Sequence, residues 1–482
     1  MDMPTSLLIG GEWVPAADGA EFKTYDPATG EPLAVVAEAG QAEVDAAVSA
    51  ARAAFDHPEW RSMPPAARAR VLWRIADLIE QHADELAELE TRDQGQPIGI
   101  AKGLNVPLAA EMFRYYAGWC TKIEGSVSAV SIPGTMHYTR REPIGVCALI
   151  TPWNLPLAIA AWKLAPALAC GNTVILKPAE QTPLTTVFLA RLCMEAGVPA
   201  GVVNCLTGGP VTGKALTEHP DVDKVSFTGS TEVGKLIVAA AAGNLKRLSL
   251  ELGGKAPSIV ARDADIDAAV AGNLQGALLN SGQVCAAYTR FYVDERRVDE
   301  FTEKIAAAAA SLPLGPGLAP ETVIGPLVSQ EQVDRVAHYV RLGVEQGAEL
   351  VTGGRRPDGD LAAGYFFQPT VFGGVRDDMV IAREEIFGPV LSILSYEDPE
   401  ELVGRANDTE YGLAACVWTK NLATAHSLAA SIRAGSVYVN MLPFLDPAAP
   451  WGGFGASGWG REMSSAAIGE FTETKGVWIN LG

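Results

Sequence analysis

An α/β fold built on parallel sheet is what this sequence predicts, and three observations carry the expectation. From residue 144 onward, short apolar runs alternate with longer stretches of helical periodicity, the rhythm of βαβ units. Hydrophobic residues make up 48% of the chain and charged residues 20%, so a large core is available. The length of 482 residues suggests two to four domains at roughly 100–200 residues each.

The elements follow in order. Strand-like pieces occupy 7–9 and 13–14, with a turn at Asp18 and Gly19. Residues 41–55 are Ala-rich and amphipathic. Residues 64–93 open with prolines suited to a first helical turn and set Val71, Leu72, Ile75, Leu78 and Ile79 at helical spacing. Another helix covers 108–120. Alternation at 126–130 and a turn at Pro133 and Gly134 predict a hairpin over 123–141 that caps an edge or projects as an arm. Strands at 145–150, 173–176, 202–206, 224–228 and 248–250 then alternate with helices at 157–171, 182–197, 211–219 and 230–242. Thr182 is the expected N-cap of its helix, with Pro183 at the first helical position. A second α/β region begins near Gly253 and Gly254. Its helices fall at 263–280, 298–310, 330–346, 399–407 and 422–430, and its strands at 291–293, 370–372, 390–396, 414–417 and 437–440. Parallel sheets of this kind bind ligands at the carboxyl ends of their strands.

Composition excludes several functions. A net charge of −20 repels phosphate backbones and argues against nucleic acid as a partner. The longest apolar run, 155–170, is broken by Lys163 and Pro166, so no bilayer span is expected. Residues 1–14 lack the basic and apolar regions of a secretory leader. Seven scattered cysteines without a CxxC pair fit reduced thiols in a cytoplasmic protein, and six histidines form no metal spacing.

Several motifs carry chemistry. Cys285 lies between small residues just after a helix; it reads as a thiolate nucleophile or as a small buried cysteine. A loop setting can lower such a thiol's pKa below its free value of ~8.5. Glu251 ends a strand and precedes two glycines, where it can act as a general base or simply pair with Lys255. Gly229 and Ser230 open a helix whose N–H groups can hold phosphate, or form a plain βα turn. Residues 208–214 approach a phosphate loop, but Ala215 stands where Ser or Thr is required. Lys177 and Glu180 at a strand end can grip ribose hydroxyls or form a surface ion pair. Asn154, beside Trp153, can donate to an oxyanion.

In this order, Asn154, Lys177, Gly229 with Ser230, Glu251 and Cys285 resemble the aldehyde dehydrogenase superfamily. The runs 384–389 and 450–453, the latter continuing to 457–462, match it too, and the resemblance extends from about residue 8 to 477. The resemblance implies that Cys285 is the nucleophile, Asn154 with the Cys285 N–H the oxyanion donors, and Glu251 the general base. It implies a proton-relay carboxylate at Glu462. It assigns Lys177 and Glu180 to the adenosine ribose, Gly229, Ser230 and Trp153 to the pyrophosphate region, and Glu385 and Phe387 to the nicotinamide end. Glu180 would repel a 2′-phosphate, so NAD is the expected cofactor, with NADP possible. Leu155, Ile159, Trp162, Leu279, Val284 and Leu445 match tunnel positions and imply an uncharged aliphatic or aromatic aldehyde; core packing is the alternative. Gly455 replaces a lysine and Trp451 a phenylalanine common in relatives, both near the tunnel mouth.

The implied fold has a Rossmann-like cofactor domain (1–122 and 144–251), an α/β catalytic domain (252–469) and a small β bridging element (123–143 and 470–482). That element normally joins subunits, so a homodimer or homotetramer is expected. The rival functions are a CoA-acylating semialdehyde dehydrogenase, a class that generally lacks the base now seen as Glu251, and a catalytically idle structural protein.

Overall fold

The structure, a computed structural model, describes residues 5–482; the first four residues of the expected cofactor segment 1–122 lie outside the described residues. Five parallel strands form the heart of the first sheet, in the order Arg247–Glu251, Lys224–Thr228, Val146–Ile150, Thr173–Lys177 and Val203–Cys205. Gly458–Trp459 extends one edge and Leu7–Ile9 with Glu12–Val14 the other, all antiparallel to their neighbours. The central strands are buried along their whole length because helices cover both faces. Register pairs Ile150 with Lys177 and with Phe227, and Thr228 with Glu251. Lys177 and Glu251 therefore share one carboxyl edge with the loop that holds Asn154.

The helix Pro156–Ala169 is buried along its whole length, Lys163 included. A helix apolar on all sides belongs inside a protein, and this one packs against Val106–Ala117 and Pro65–Gln81. The second sheet has six parallel strands, Thr370–Gly373, Val390–Tyr396, Tyr288–Asp294, Ala256–Val260, Ala414–Trp418 and Ser436–Val439, with Glu349–Thr352 antiparallel at one edge. Among the described residues, no helix is long and apolar enough to cross a membrane.

Several expectations need correction. In the span 123–141 only Val127–Ser128 pairs with Thr135–Pro143; the long partner of that strand is Thr472–Asn480, from the chain's end. The span 64–93 is two helices, Pro65–Gln81 and Ala83–Gln94, because His82 (φ −103°, ψ 20°) leaves helical geometry. Thr182 is not an N-cap. The helix Leu184–Glu195 starts after Pro183, and Asp93 Oδ2 accepts from Leu184 N at 2.9 Å, so a carboxylate from another helix does the capping. Thr182 Oγ1 instead donates to Trp153 O. The helix expected over 263–280 ends at Leu278. Gly458–Trp459 lies within the expected catalytic segment yet joins the first sheet.

Some strands were not legible in the sequence, among them the hairpin Glu21–Asp26 and Glu31–Ala37 and the edge strand Glu349–Thr352. The central strand Ala256–Val260 was hidden by Pro257, which a shift in register at that residue accommodates.

Candidate active site

Glu251, Asn154 and Cys285 come from three separate segments and meet at the carboxyl edge of the first sheet. Cys285 is half-buried and follows the tight turn Leu279–Gly282. Asn154 is buried, and its Nδ2 donates to the carbonyl of Gln283, two residues before Cys285, at 2.9 Å. Glu251 ends its strand with both carboxylate oxygens buried and without a hydrogen-bond partner. It does not pair with Lys255.

The two glycines after Glu251 have separate steric reasons. A Cβ on Gly253 would lie 2.3 Å from Glu385 Oε2, and one on Gly254 would lie 2.5 Å from the Cys285 carbonyl oxygen. The Gly254 N–H donates to Glu385 Oε1 at 2.9 Å. Absence of side chains there lets the Cys285 backbone and a second carboxylate approach together.

Electrostatics follow from this crowding. Burial pushes the Glu251 carboxyl well above the usual range; neighbouring Glu462 adds to the rise, while Lys163 and Arg461 oppose it. Burial raises the Cys285 thiol as well, reinforced by the Glu385 and Glu251 carboxylates. The expectation of a lowered thiol pKa is thus corrected: two carboxylates face the sulfur. Glu385 is raised to about 7 by burial, against the Gly254 N–H and the charges of Lys255 and Arg335. Lys255 is lowered to about 7, by burial first and by Arg290 second.

Glu462 Oε1 is held by Lys163 Nζ and, at 3.1 Å, by Ser226 Oγ, whereas Oε2 has no partner. Lys163 and Ser226 were missed as site residues. A lysine inside an apolar helical run was the trace that could have revealed the first.

The expected cofactor residues come from loops of both sheets: Trp153, Lys177, Glu180, Gly229 and Ser230 from the carboxyl edge of the first, and Glu385 and Phe387 from the loop before Val390–Tyr396 of the second. Trp153 and Phe387 meet edge to face, with centroids 5.1 Å apart and planes at 90°. Phe387 has φ 61°, unusual for a bulky residue. Gln332 and Arg335 donate to the carbonyls of Glu385, Ile386 and Phe387 and so hold that loop. Neither was singled out by sequence. Lys177 is buried, with Nζ 3.1 Å from Pro178 O and 3.8 Å from Glu180 Oε2, so it is no surface ion pair. Ser230 is exposed and caps the helix Thr231–Ala241 by accepting from Val233 N. A cavity of about 410 Å³ opens beside Glu180, with Glu38, Gly209, Pro210, Tyr25 and Tyr365 among its walls.

Leu155, Ile159 and Trp162 lie in the large apolar cluster, and Val284 and Leu445 pack against it half-buried. Leu279 is half-buried at the end of the helix Ile266–Leu278, outside that cluster.

Comparison with known proteins supplies the frame for this geometry. Residues 13–477 match the model of the aldehyde dehydrogenase family. DhaS of Bacillus subtilis is 52% identical, over 98% of this chain and 95% of its own. Phenylacetaldehyde dehydrogenase of Pseudomonas fluorescens is 45% identical, over 99% and 96%. The solved NAD⁺ complex of aldehyde dehydrogenase from Bacillus cereus superposes with a TM-score of 0.97 at 46% identity, covering 99% of this chain and 96% of that one.

Proposed function

The chain belongs to the aldehyde dehydrogenase family, and from that premise we propose that it oxidises uncharged aliphatic or aromatic aldehydes to carboxylic acids with NAD. One observation carries the hydrolytic form of this reading. Glu251 is a buried carboxyl with no partner, close enough to Cys285 to raise its thiol. Such a group is costly to keep unless it has work to do. A CoA-acylating enzyme or an idle scaffold gives it none.

The residues present fit the cofactor. Lys177 is a buried amine at a strand's carboxyl end, beside the Glu180 carboxylate that lines the cavity, a donor and an acceptor suited to ribose hydroxyls. Gly229 and Ser230 precede a helix N-terminus suited to pyrophosphate. Glu385 and Phe387 would hold the nicotinamide ribose and ring, with Trp153 against Phe387. Glu180 favours NAD over NADP by repelling a 2′-phosphate. When bound, the nicotinamide supplies the hydride acceptor.

The chain's own groups do the rest. Cys285 gives up its thiol proton by way of the Glu251 carboxylate and, as thiolate, attacks the aldehyde carbon to form a thiohemiacetal. Asn154 Nδ2, with one N–H already on Gln283 O, has a second to donate to the oxyanion, beside the Cys285 backbone N–H. Oxidation leaves the acyl group on Cys285 as a thioester. Glu251 takes a proton from water, which attacks the thioester and releases the acid. Glu462, held by Lys163 and Ser226, would relay that proton.

The apolar side chains of Leu155, Ile159, Trp162, Leu279, Val284 and Leu445 support an uncharged substrate. The relative named for phenylacetaldehyde supports an aromatic one. Seven free cysteines support a cytoplasmic location. Trp478, Ile479 and Met136 are exposed on the small sheet and support its use as a bridge in a homodimer or homotetramer.

The test is NADH formation across short, long and aromatic aldehydes, with NAD or NADP and with or without CoA. CoA-independent turnover of uncharged aldehydes is expected. Turnover only with CoA would overturn the role of Glu251.

A further inference from the structure

The turn before the nucleophile has an uncommon backbone. Asn280, Ser281 and Gly282 have φ of 50°, 58° and 76°, three left-handed residues in succession. Glycine adopts that region freely, asparagine tolerates it, and serine seldom does. Such a run persists only where its surroundings over-determine it.

Here the surroundings do so. Ser281 Oγ donates to Gly325 O at 2.8 Å. Gly282 lies so close to the neighbouring backbone that a Cβ would sit 2.3 Å from Gly388 O. Gln283 Oε1 accepts from Val328 N at 2.9 Å.

Three amide side chains close a ring across the two loops. Asn280 Nδ2 donates to Asn154 O at 2.9 Å. Asn154 Nδ2 donates to Gln283 O at 2.9 Å. Gln283 Nε2 donates to Asn280 O at 3.0 Å. Each residue gives an N–H to the next one's carbonyl, and all three are buried. The ring also fixes how the Asn280 amide is turned, because the opposite orientation would set oxygen against oxygen. Asn280 Oδ1 is left buried without a partner. Leaving that acceptor unmet is the cost of pointing the N–H at the Asn154 loop.

The geometry points to Asn280 as a positioning residue for Asn154: by gripping the Asn154 carbonyl from a strained turn, it holds the Asn154 amide in register with Cys285. The left-handed turn is then functional geometry, since it lets a residue five positions before the nucleophile reach the oxyanion donor's backbone. The inference rests on the role proposed above for Asn154.

The experiment compares Asn280→Asp and Asn280→Gly with Asn154→Ala and with both double variants. Asp keeps the size and the tolerance of positive φ but sets an oxygen against the Asn154 carbonyl. Gly relieves the backbone and removes the grip. Readouts are kcat, KM for aldehyde and for NAD, thermal unfolding, and the rate at which iodoacetamide alkylates Cys285.

Each Asn280 variant is expected to lower kcat roughly 10–100-fold, the loss typical of a misplaced transition-state donor. KM and the alkylation rate should stay within about twofold, because the thiol itself is not moved. In the Asn154→Ala background neither Asn280 change should lower kcat further. Equal losses in both backgrounds, or an unchanged kcat in the folded Asn280→Asp protein, would overturn the inference while leaving the Asn154 role intact. An unchanged kcat in Asn154→Ala alone would overturn that role, and this inference with it.

Discussion

Lys163 and Glu462 form an ion pair in the interior, the ammonium from the buried helix Pro156–Ala169 against a carboxylate from near the chain's end. Ser226 Oγ donates to the same carboxylate oxygen. The pair faces Glu251, whose charge Lys163 favours and Glu462 opposes.

Removing one partner strands the other's charge. Lys163→Met is expected to destabilise the protein by about 3–5 kcal/mol, the range for a broken buried pair. The double variant Lys163→Met/Glu462→Leu should recover most of that, because both charges then leave the interior. Urea unfolding measures both, and a loss below about 1 kcal/mol in the single variant would refute the cost expected for a broken buried pair.

Burial holds the Glu251 carboxyl well above the usual carboxylate range, so its proton is lost at a higher pH than that of an exposed carboxyl. Thioester hydrolysis should accelerate as pH rises and that proton leaves. Glu251→Gln should flatten the rise and lower the rate by about 10²–10⁴-fold. Glu462→Gln should move the midpoint down, since a negative neighbour is lost. Steady-state kcat against pH, with the NADH burst as control, reads these shifts; a flat wild-type profile would count against Glu251 as base.

Glu90 is a buried carboxyl raised to about 7, chiefly by burial, although Thr185 and the Leu157 N–H donate to it. A carboxyl whose folded pKa lies above its unfolded value binds more protons when folded. Stability should therefore fall between the ordinary value of 4.5 and about 7, by roughly 1.4 kcal/mol per pH unit from this group. Glu90→Gln should remove that slope. Urea unfolding of both proteins at pH values across this window is the measurement, and parallel curves would refute the assignment.

Gly253 and Gly254 should fail differently. A Cβ at Gly254 meets the backbone of Cys285, which cannot step aside, so Gly254→Ala should reduce kcat about 100-fold. At Gly253 the obstacle is the far end of the Glu385 side chain, so Gly253→Ala should act mainly on KM for NAD. Equal effects on kcat would contradict this separation.

What the sequence made legible was whatever sits at an element's end. Glu251 and Lys177 end strands of a parallel sheet, Asn154 follows one, and the small residues beside Cys285 mark a close approach. What it hid depends on distant partners. Lys163 showed only as a break in an apolar run, because its partner is 299 residues away. Asn280 and Ser281 looked like a helix end, since nothing local requires their positive φ; bonds to Asn154 and Gly325 impose it. Thr182 looked like a cap because the competing carboxylate, Asp93, lies on another helix.

The pairing of Thr135–Pro143 with Thr472–Asn480 also sets an order of events at the ribosome. The first strand leaves the exit tunnel more than three hundred residues before its partner, an interval of roughly a quarter of a minute to about a minute at roughly 5–20 residues per second. Lys163 waits almost as long for Glu462. Throughout that interval the nascent chain carries an open strand edge and a charge awaiting its counterion, so chaperone occupancy should peak there. A chain that stops short of Glu462 should never leave that state, and quality control should clear it as unfinished.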